Sequence, residues 1–99
     1  MNFSVIIPTY NRSHLLNRAI TSVLQQSYHS LELLIIDDGS TDSTDKILAK
    51  IQDPRLKIIK LEKNSGVSTA RNIGIRNARY SWLAFLDSDD EWWPTKLEE

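Results

Sequence analysis

The chain has 99 residues, 40% of them hydrophobic and 25% charged, which suits one ordinary globular domain and excludes collagen-like, disordered and disulfide-scaffold classes. Twelve Lys and Arg against thirteen Asp and Glu leave a net charge of -1, so no broad basic face for nucleic acid is expected. No cysteine is present, which removes disulfides and thiolate metal sites and makes a reducing cytosol the default compartment. No apolar run approaches the roughly 18 residues of a membrane span, and no signal peptide is read at the N-terminus.

The first element is a β-branched run, Phe3-Ser4-Val5-Ile6-Ile7, which reads as a buried strand stopped by Pro8. A polar break follows. Leu15, Leu16, Ala19, Ile20, Val23 and Leu24 then recur with helical spacing, with Asn11 or Ser13 as the candidate cap. Leu31-Glu32-Leu33-Leu34-Ile35-Ile36 is a second strand, ended by Asp37-Asp38-Gly39-Ser40. Ser40, Thr41 and Asp42 can each cap a second helix, whose inner face is Ile47, Leu48 and Ile51. Asp53-Pro54 breaks it. Leu56-Lys57-Ile58-Ile59-Lys60-Leu61 is a third strand, with two lysines that suit a place near the sheet edge. After Asn64-Ser65-Gly66 a third helix runs from about Val67 to Ala78. Its Gly74 costs about 1 kcal/mol relative to Ala, which a close helix–sheet approach would explain. Trp82-Leu83-Ala84-Phe85-Leu86 is a fourth strand, ending in Asp87-Ser88-Asp89-Asp90.

Strands alternating with helices predict an α/β fold with a parallel sheet and right-handed crossovers. The most economical strand order is 3-2-1-4, which puts strands 1 and 4 at the topological switch point, where such sheets bind ligands. All four polar clusters then gather at one edge of the sheet. Two carboxylates about 4 Å apart repel by about 4 kcal/mol at an effective dielectric of 20, so the five here call for protonation or a cation. Asp87 and Asp89 suit a hard divalent cation such as Mg²⁺ or Mn²⁺ together with a diphosphate. The other reading has Asp89 and Asp90 capping a following helix, with Asp87 merely solvated. Asp38 could accept hydrogen bonds from a base or ribose, or could belong to a turn. Tyr10 could stack on a nucleobase or pack on its neighbours. Arg71 could counter a carboxylate or phosphate, or make a surface ion pair. His14 and His29 are read as surface residues, and Trp92 and Trp93 as core or interface aromatics. The common phosphate-loop, dinucleotide and hydrolase signatures are absent.

Four blocks together resemble the family 2 glycosyltransferases. They are Val5-Ile6-Ile7-Pro8-Thr9-Tyr10-Asn11-Arg12, Asp37-Asp38-Gly39-Ser40-Thr41-Asp42, the stretch from Asn64 to Gly74, and Leu86-Asp87-Ser88-Asp89-Asp90-Glu91-Trp92-Trp93-Pro94. They occur in family order across nearly the whole chain. The resemblance implies the Rossmann-like, three-layer α/β/α half of a GT-A fold. It implies inverting transfer of a sugar from a nucleotide-sugar donor, commonly a UDP-sugar, to a saccharide or lipid-linked acceptor in polysaccharide or glycolipid assembly. Such a protein is expected in the cytoplasm, peripheral at the inner face of the membrane. By the same resemblance Pro8, Thr9 and Tyr10 line the nucleoside pocket, Asp38 contacts the base and Arg71 sits beside it. Asp87 faces ribose and metal, and Asp89 is the main ligand to Mg²⁺ or Mn²⁺.

Family members are longer, and this sequence stops at Glu99, just past the Asp-x-Asp block. The acceptor-binding half and the later carboxylate that acts as general base are therefore expected outside these residues. The 99 residues are expected to bind donor weakly and to catalyse no transfer alone. Trp82, Phe85, Trp92 and Trp93 near a free fourth strand are expected to promote self-association. The alternatives are a noncatalytic nucleotide-binding or interaction module of the same fold, and a phosphoacceptor receiver domain. A receiver needs an acidic pair after strand 1, where this chain has Pro8-Thr9-Tyr10.

Overall fold

The computed structural model describes residues 2–98. Its strands are β1 (Phe3–Thr9), β2 (Leu31–Asp37), β3 (Leu56–Lys60) and β4 (Trp82–Phe85). They form one parallel sheet in the order β3-β2-β1-β4, as the alternating pattern predicts. The connections are α1 (Ser13–Leu24), α2 (Thr44–Ala49) and α3 (Val67–Asn77), and a 3₁₀ turn spans Lys96–Glu98.

The sheet is the middle of three layers, because its central strands are apolar on both faces. Val5, Ile7, Leu33 and Ile35 pack against Leu16, Ala19, Ile20 and Val23 of α1 and Leu48 of α2. Ile6, Leu34 and Ile36 turn the other way and meet Ala70 of α3. Gly74 lies against that second face. A Cβ there would sit 2.6 Å from Ile6 Cγ2, so the close approach expected of this glycine is present.

Pro8 does not stop β1, which continues to Thr9. The reason lies in the ladder. Ile6 bonds toward β4, since its carbonyl accepts the Leu86 N–H at 3.1 Å. Pro8, two residues on, points the same way, and β4 has already ended at Phe85. A missing N–H on that side therefore breaks no strand pairing. β3 is an edge strand, as its lysines suggest, and Lys57 pairs with the buried Glu32 at 2.9 Å. β4 is the opposite edge, with Trp82, Leu83 and Phe85 exposed.

Candidate functional site

β1 and β2 end level with each other, Thr9 opposite Asp37. The loops that leave them are tied by side chains. Asn11 adopts a left-handed backbone (φ 50°), which asparagine tolerates better than most residues. Its N–H donates to Ser40 Oγ at 3.0 Å, and its Oδ1 accepts the N–H groups of Thr41 and Asp42 at 2.8 and 3.3 Å. Asp42 completes the tie. Its Oδ2 accepts the Ser13 N–H in the first turn of α1, and its Oδ1 accepts the Thr44 N–H in the first turn of α2, both at 3.1 Å. Neither Asn11 nor Ser13 caps α1 with its own side chain; Asp42, from the neighbouring loop, does that work. Burial would raise the pKa of Asp42. The Thr44 hydroxyl and the Ser13 and Thr44 N–H groups outweigh burial and hold it at about 2.

Asp38 is buried, and its carboxylate is turned onto the loop before α3. Oδ1 accepts the Ser65 N–H at 2.8 Å, and Oδ2 accepts the Gly66 N–H at 2.9 Å and Asn64 Nδ2 at 3.1 Å. Gly39 permits this approach. It has φ +77°, and a Cβ there would lie 2.6 Å from the Asn64 nitrogen.

At the end of β4, Arg71 Nη2 meets Asp87 Oδ1 at 3.2 Å. Asp90 forms a turn, its N–H donating to the Asp87 carbonyl and its Oδ1 accepting the Glu91 N–H, each at 3.0 Å. No α-helix follows among the described residues, so Asp89 and Asp90 are not helix caps. The crowding of carboxylates is relieved mostly by local donors: Ser40 N–H for Asp37, the α3 loop for Asp38, Arg71 for Asp87. The carboxylate of Asp89 alone among the five has no hydrogen bond or ion pair among the described residues.

Pro8, Thr9, Tyr10, Asp38, Asp87 and Asp89 line one cleft of about 430 Å³ at the switch point. Arg71 stands beside it through its pair with Asp87. Arg12, Asn64 and Ser88 also line the cleft. Sequence reasoning passed over Arg12 as a site residue, although a cation directly after Thr9-Tyr10-Asn11 was a usable signal. No group of three or more His, Asp or Glu side chains able to hold a metal ion occurs among the described residues. A larger cleft of about 670 Å³ lies between α1 and residues 91–94 and contains none of the expected site residues. Trp92 is half-buried against the α1 side of the core, whereas Trp93 is 79% exposed.

The family model for glycosyl transferase family 2 matches residues 4–99. The chain belongs to that family. Among its relatives is an Escherichia coli protein, UDP-Glc:alpha-D-GlcNAc-diphosphoundecaprenol beta-1,3-glucosyltransferase WfgD. It is 42% identical over 95 residues, covering 96% of this chain and 38% of that protein. Among solved structures, S. aureus TarS 1-349 in complex with UDP-GlcNAc superposes with a TM-score of 0.92 and 35% identity, over 99% of this chain and 29% of that one. The mannosyltransferase PcManGT from Pyrobaculum calidifontis, in complex with GDP-Man and Mn²⁺, gives a TM-score of 0.85 and 27% identity, over 92% of this chain and 28% of that one. The chain spans about two fifths or less of the length of the curated relatives it matches.

Proposed function

We propose that these residues bind the nucleotide-sugar donor, a UDP-sugar, for an inverting glycosyltransferase of polysaccharide or glycolipid assembly. The observation that carries this reading is the convergence of Pro8, Thr9 and Tyr10 with Asp38, Asp87 and Asp89 on one cleft. The cleft lies at the carboxyl ends of β1 and β4, the switch point of the sheet. Tyr10 is 42% exposed and offers a face to a base. The UDP-Glc in the name of WfgD and the UDP-GlcNAc bound to TarS support a uridine donor, and the diphosphoundecaprenol in the former supports a lipid-linked acceptor.

The donor set suits Mg²⁺ or Mn²⁺. Such ions take one or two carboxylates and complete their shell with phosphate oxygens and water. The carboxylate of Asp89 has no partner among the described residues, and Asp87 stands two residues away on the same rim. Asp89 would be the main ligand and Asp87 the second, shared with ribose. A bound divalent ion would neutralise charge developing on the leaving nucleoside diphosphate. Asp38 acts here by holding the loop at Ser65 and Gly66, so any contact it makes with the base is made by an already engaged carboxylate. No general base is assigned among the described residues. That the general base is supplied by chain outside these residues, and that the protein works in the cytoplasm at the inner membrane face, are parts of this proposal.

The test is chemical-shift mapping of the 99-residue chain with UDP, GDP and dTDP, each with Mg²⁺. Shifts centred on Thr9, Tyr10 and residues 87–89, largest for UDP, are expected. Shifts confined to α1 and residues 91–94 would overturn the reading.

A further inference from the structure

Residues 87–95 follow β4 without regular structure, yet their backbone is firmly held. One side of α1, and the residues just past its end, hold it. Arg18 Nη2 donates to the carbonyl of Asp89 at 2.8 Å. The Trp92 N–H donates to Ser22 Oγ at 3.1 Å. Gln26 Nε2 donates to the Trp93 carbonyl at 2.7 Å, and Gln26 Oε1 accepts the Leu97 N–H at 3.1 Å. Arg18, Ser22 and Gln26 are four residues apart, so they rise along one side of the helix and its exit.

Gln26 is the anchor of this row. It is 0% exposed, and its second Nε2 bond goes to the Ser22 carbonyl at 3.0 Å. A primary amide supplies both donors and the acceptor that this position uses. A buried polar side chain so fully engaged specifies one arrangement of the chain around it. Neither Arg18 nor Gln26 lines the donor cleft. Arg18 acts on it through the backbone of Asp89, and Gln26 by anchoring the same segment at Trp93 and Leu97; the Asp89 carboxylate has no partner of its own among the described residues.

We infer that Arg18 and Gln26 are positioning residues for Asp89, fixing the chain after β4 so that this carboxylate is already presented to the cleft. Preorganised ligands lose less freedom on binding, and groups that orient a metal ligand tune its affinity without touching the ion. The inference rests on the donor-site reading above. The structure supports it through the bond from Arg18 to the Asp89 carbonyl and the engagement of every Gln26 group.

The experiment measures free Mn²⁺ by electron paramagnetic resonance during titration in the presence of UDP. Metal-free UDP affinity and hydrogen exchange at residues 87–90 are measured alongside. Arg18→Met removes the donor to the Asp89 carbonyl, together with an exposed 3.8 Å pairing of Arg18 Nε with Glu91 that contributes little, from a side chain that is half exposed, so the fold is retained. The expected result is about a tenfold rise in the Mn²⁺ needed for half-saturation, the scale of one hydrogen bond. Metal-free UDP affinity stays unchanged and exchange at residues 87–90 quickens. Arg18→Lys, which can reach the same carbonyl with a donor, restores Mn²⁺ binding. Gln26→Met keeps the volume, loses the bonds and moves in the same direction; if it fails to fold, the two Arg18 variants decide the matter. Asp89→Asn is the reference for loss of the ligand. Absence of Mn²⁺ dependence in the unaltered chain overturns the donor-site reading and this inference with it. Mn²⁺ binding that Asp89→Asn abolishes but Arg18→Met leaves unchanged overturns this inference alone.

Discussion

The carboxylate of Asp38 is joined to the backbone of Gly66, Oδ2 accepting its N–H at 2.9 Å, across 28 residues of sequence. With the Ser65 N–H on Oδ1, this bond sets the loop before α3 against the end of β2 and forms one wall of the cleft at the switch point. Replacing Asp38 by Ala leaves two loop N–H groups and the Asn64 amide without their acceptor. Asp38→Ala is expected to lower stability by about 3 kcal/mol, from hydrogen bonds to a charged group of about 1.5–3 kcal/mol each, partly replaced by water. Urea denaturation measures it, and a midpoint equal to that of the unaltered chain would contradict the clamp.

Asp42 makes stability depend on acid. Its folded pKa is held at about 2, below its ordinary 3.8. A depressed carboxyl contributes fully above the ordinary value and loses that contribution as the pH falls toward the folded one. The chain is therefore expected to weaken between pH 3.8 and about 2 through this group. Asp42→Asn should be less stable at neutral pH and should fall less steeply across that window. Urea midpoints taken across the window would read it; parallel slopes for the two proteins would count against the tie between α1 and α2.

Gly74 and Ile6 touch where α3 crosses the sheet. Ala favours a helix by about 1 kcal/mol over Gly, whereas overpacking costs about 1–3 kcal/mol. With a Cβ only 2.6 Å from Ile6 Cγ2, overpacking wins, and Gly74→Ala is expected to destabilise by about 1–2 kcal/mol. Ile6 is fully buried, so Ile6→Ala is itself destabilising, but in that background Gly74→Ala should cost less than it does in the unaltered chain. A double-mutant cycle with no coupling would show that the helix simply shifts away.

β4 presents an open edge with Trp82, Leu83 and Phe85 exposed. Such edges template pairing with another chain. Self-association at high concentration is expected, and Leu83→Lys should suppress it. Sedimentation equilibrium giving a clean monomer for the unaltered chain would refute this.

The architecture was largely legible from periodicity. The β-branched runs, the helical spacing after Asn11 and the alternation of elements were enough for the order 3-2-1-4. Pro8 was misread as a strand end because its consequence depends on where β4 stops, which is a tertiary fact. The capping of α1 was misread for a related reason: its cap, Asp42, lies 29 residues from the Ser13 N–H it receives. The cleft residues were legible as polar clusters after strands. The engagement of Asp38 by the loop at Ser65 and Gly66, and the burial of Gln26, were not, since both depend on loops meeting in space. Nothing in the pattern marks a glutamine at a helix exit as fully buried.

The most direct test of the donor-site account is calorimetric titration of UDP with and without Mn²⁺, on the unaltered chain and on Asp89→Asn. The account predicts weak binding that Mn²⁺ strengthens and that Asp89→Asn returns to the metal-free level. UDP binding that Mn²⁺ leaves unchanged, or a metal effect that survives in Asp89→Asn, would contradict it.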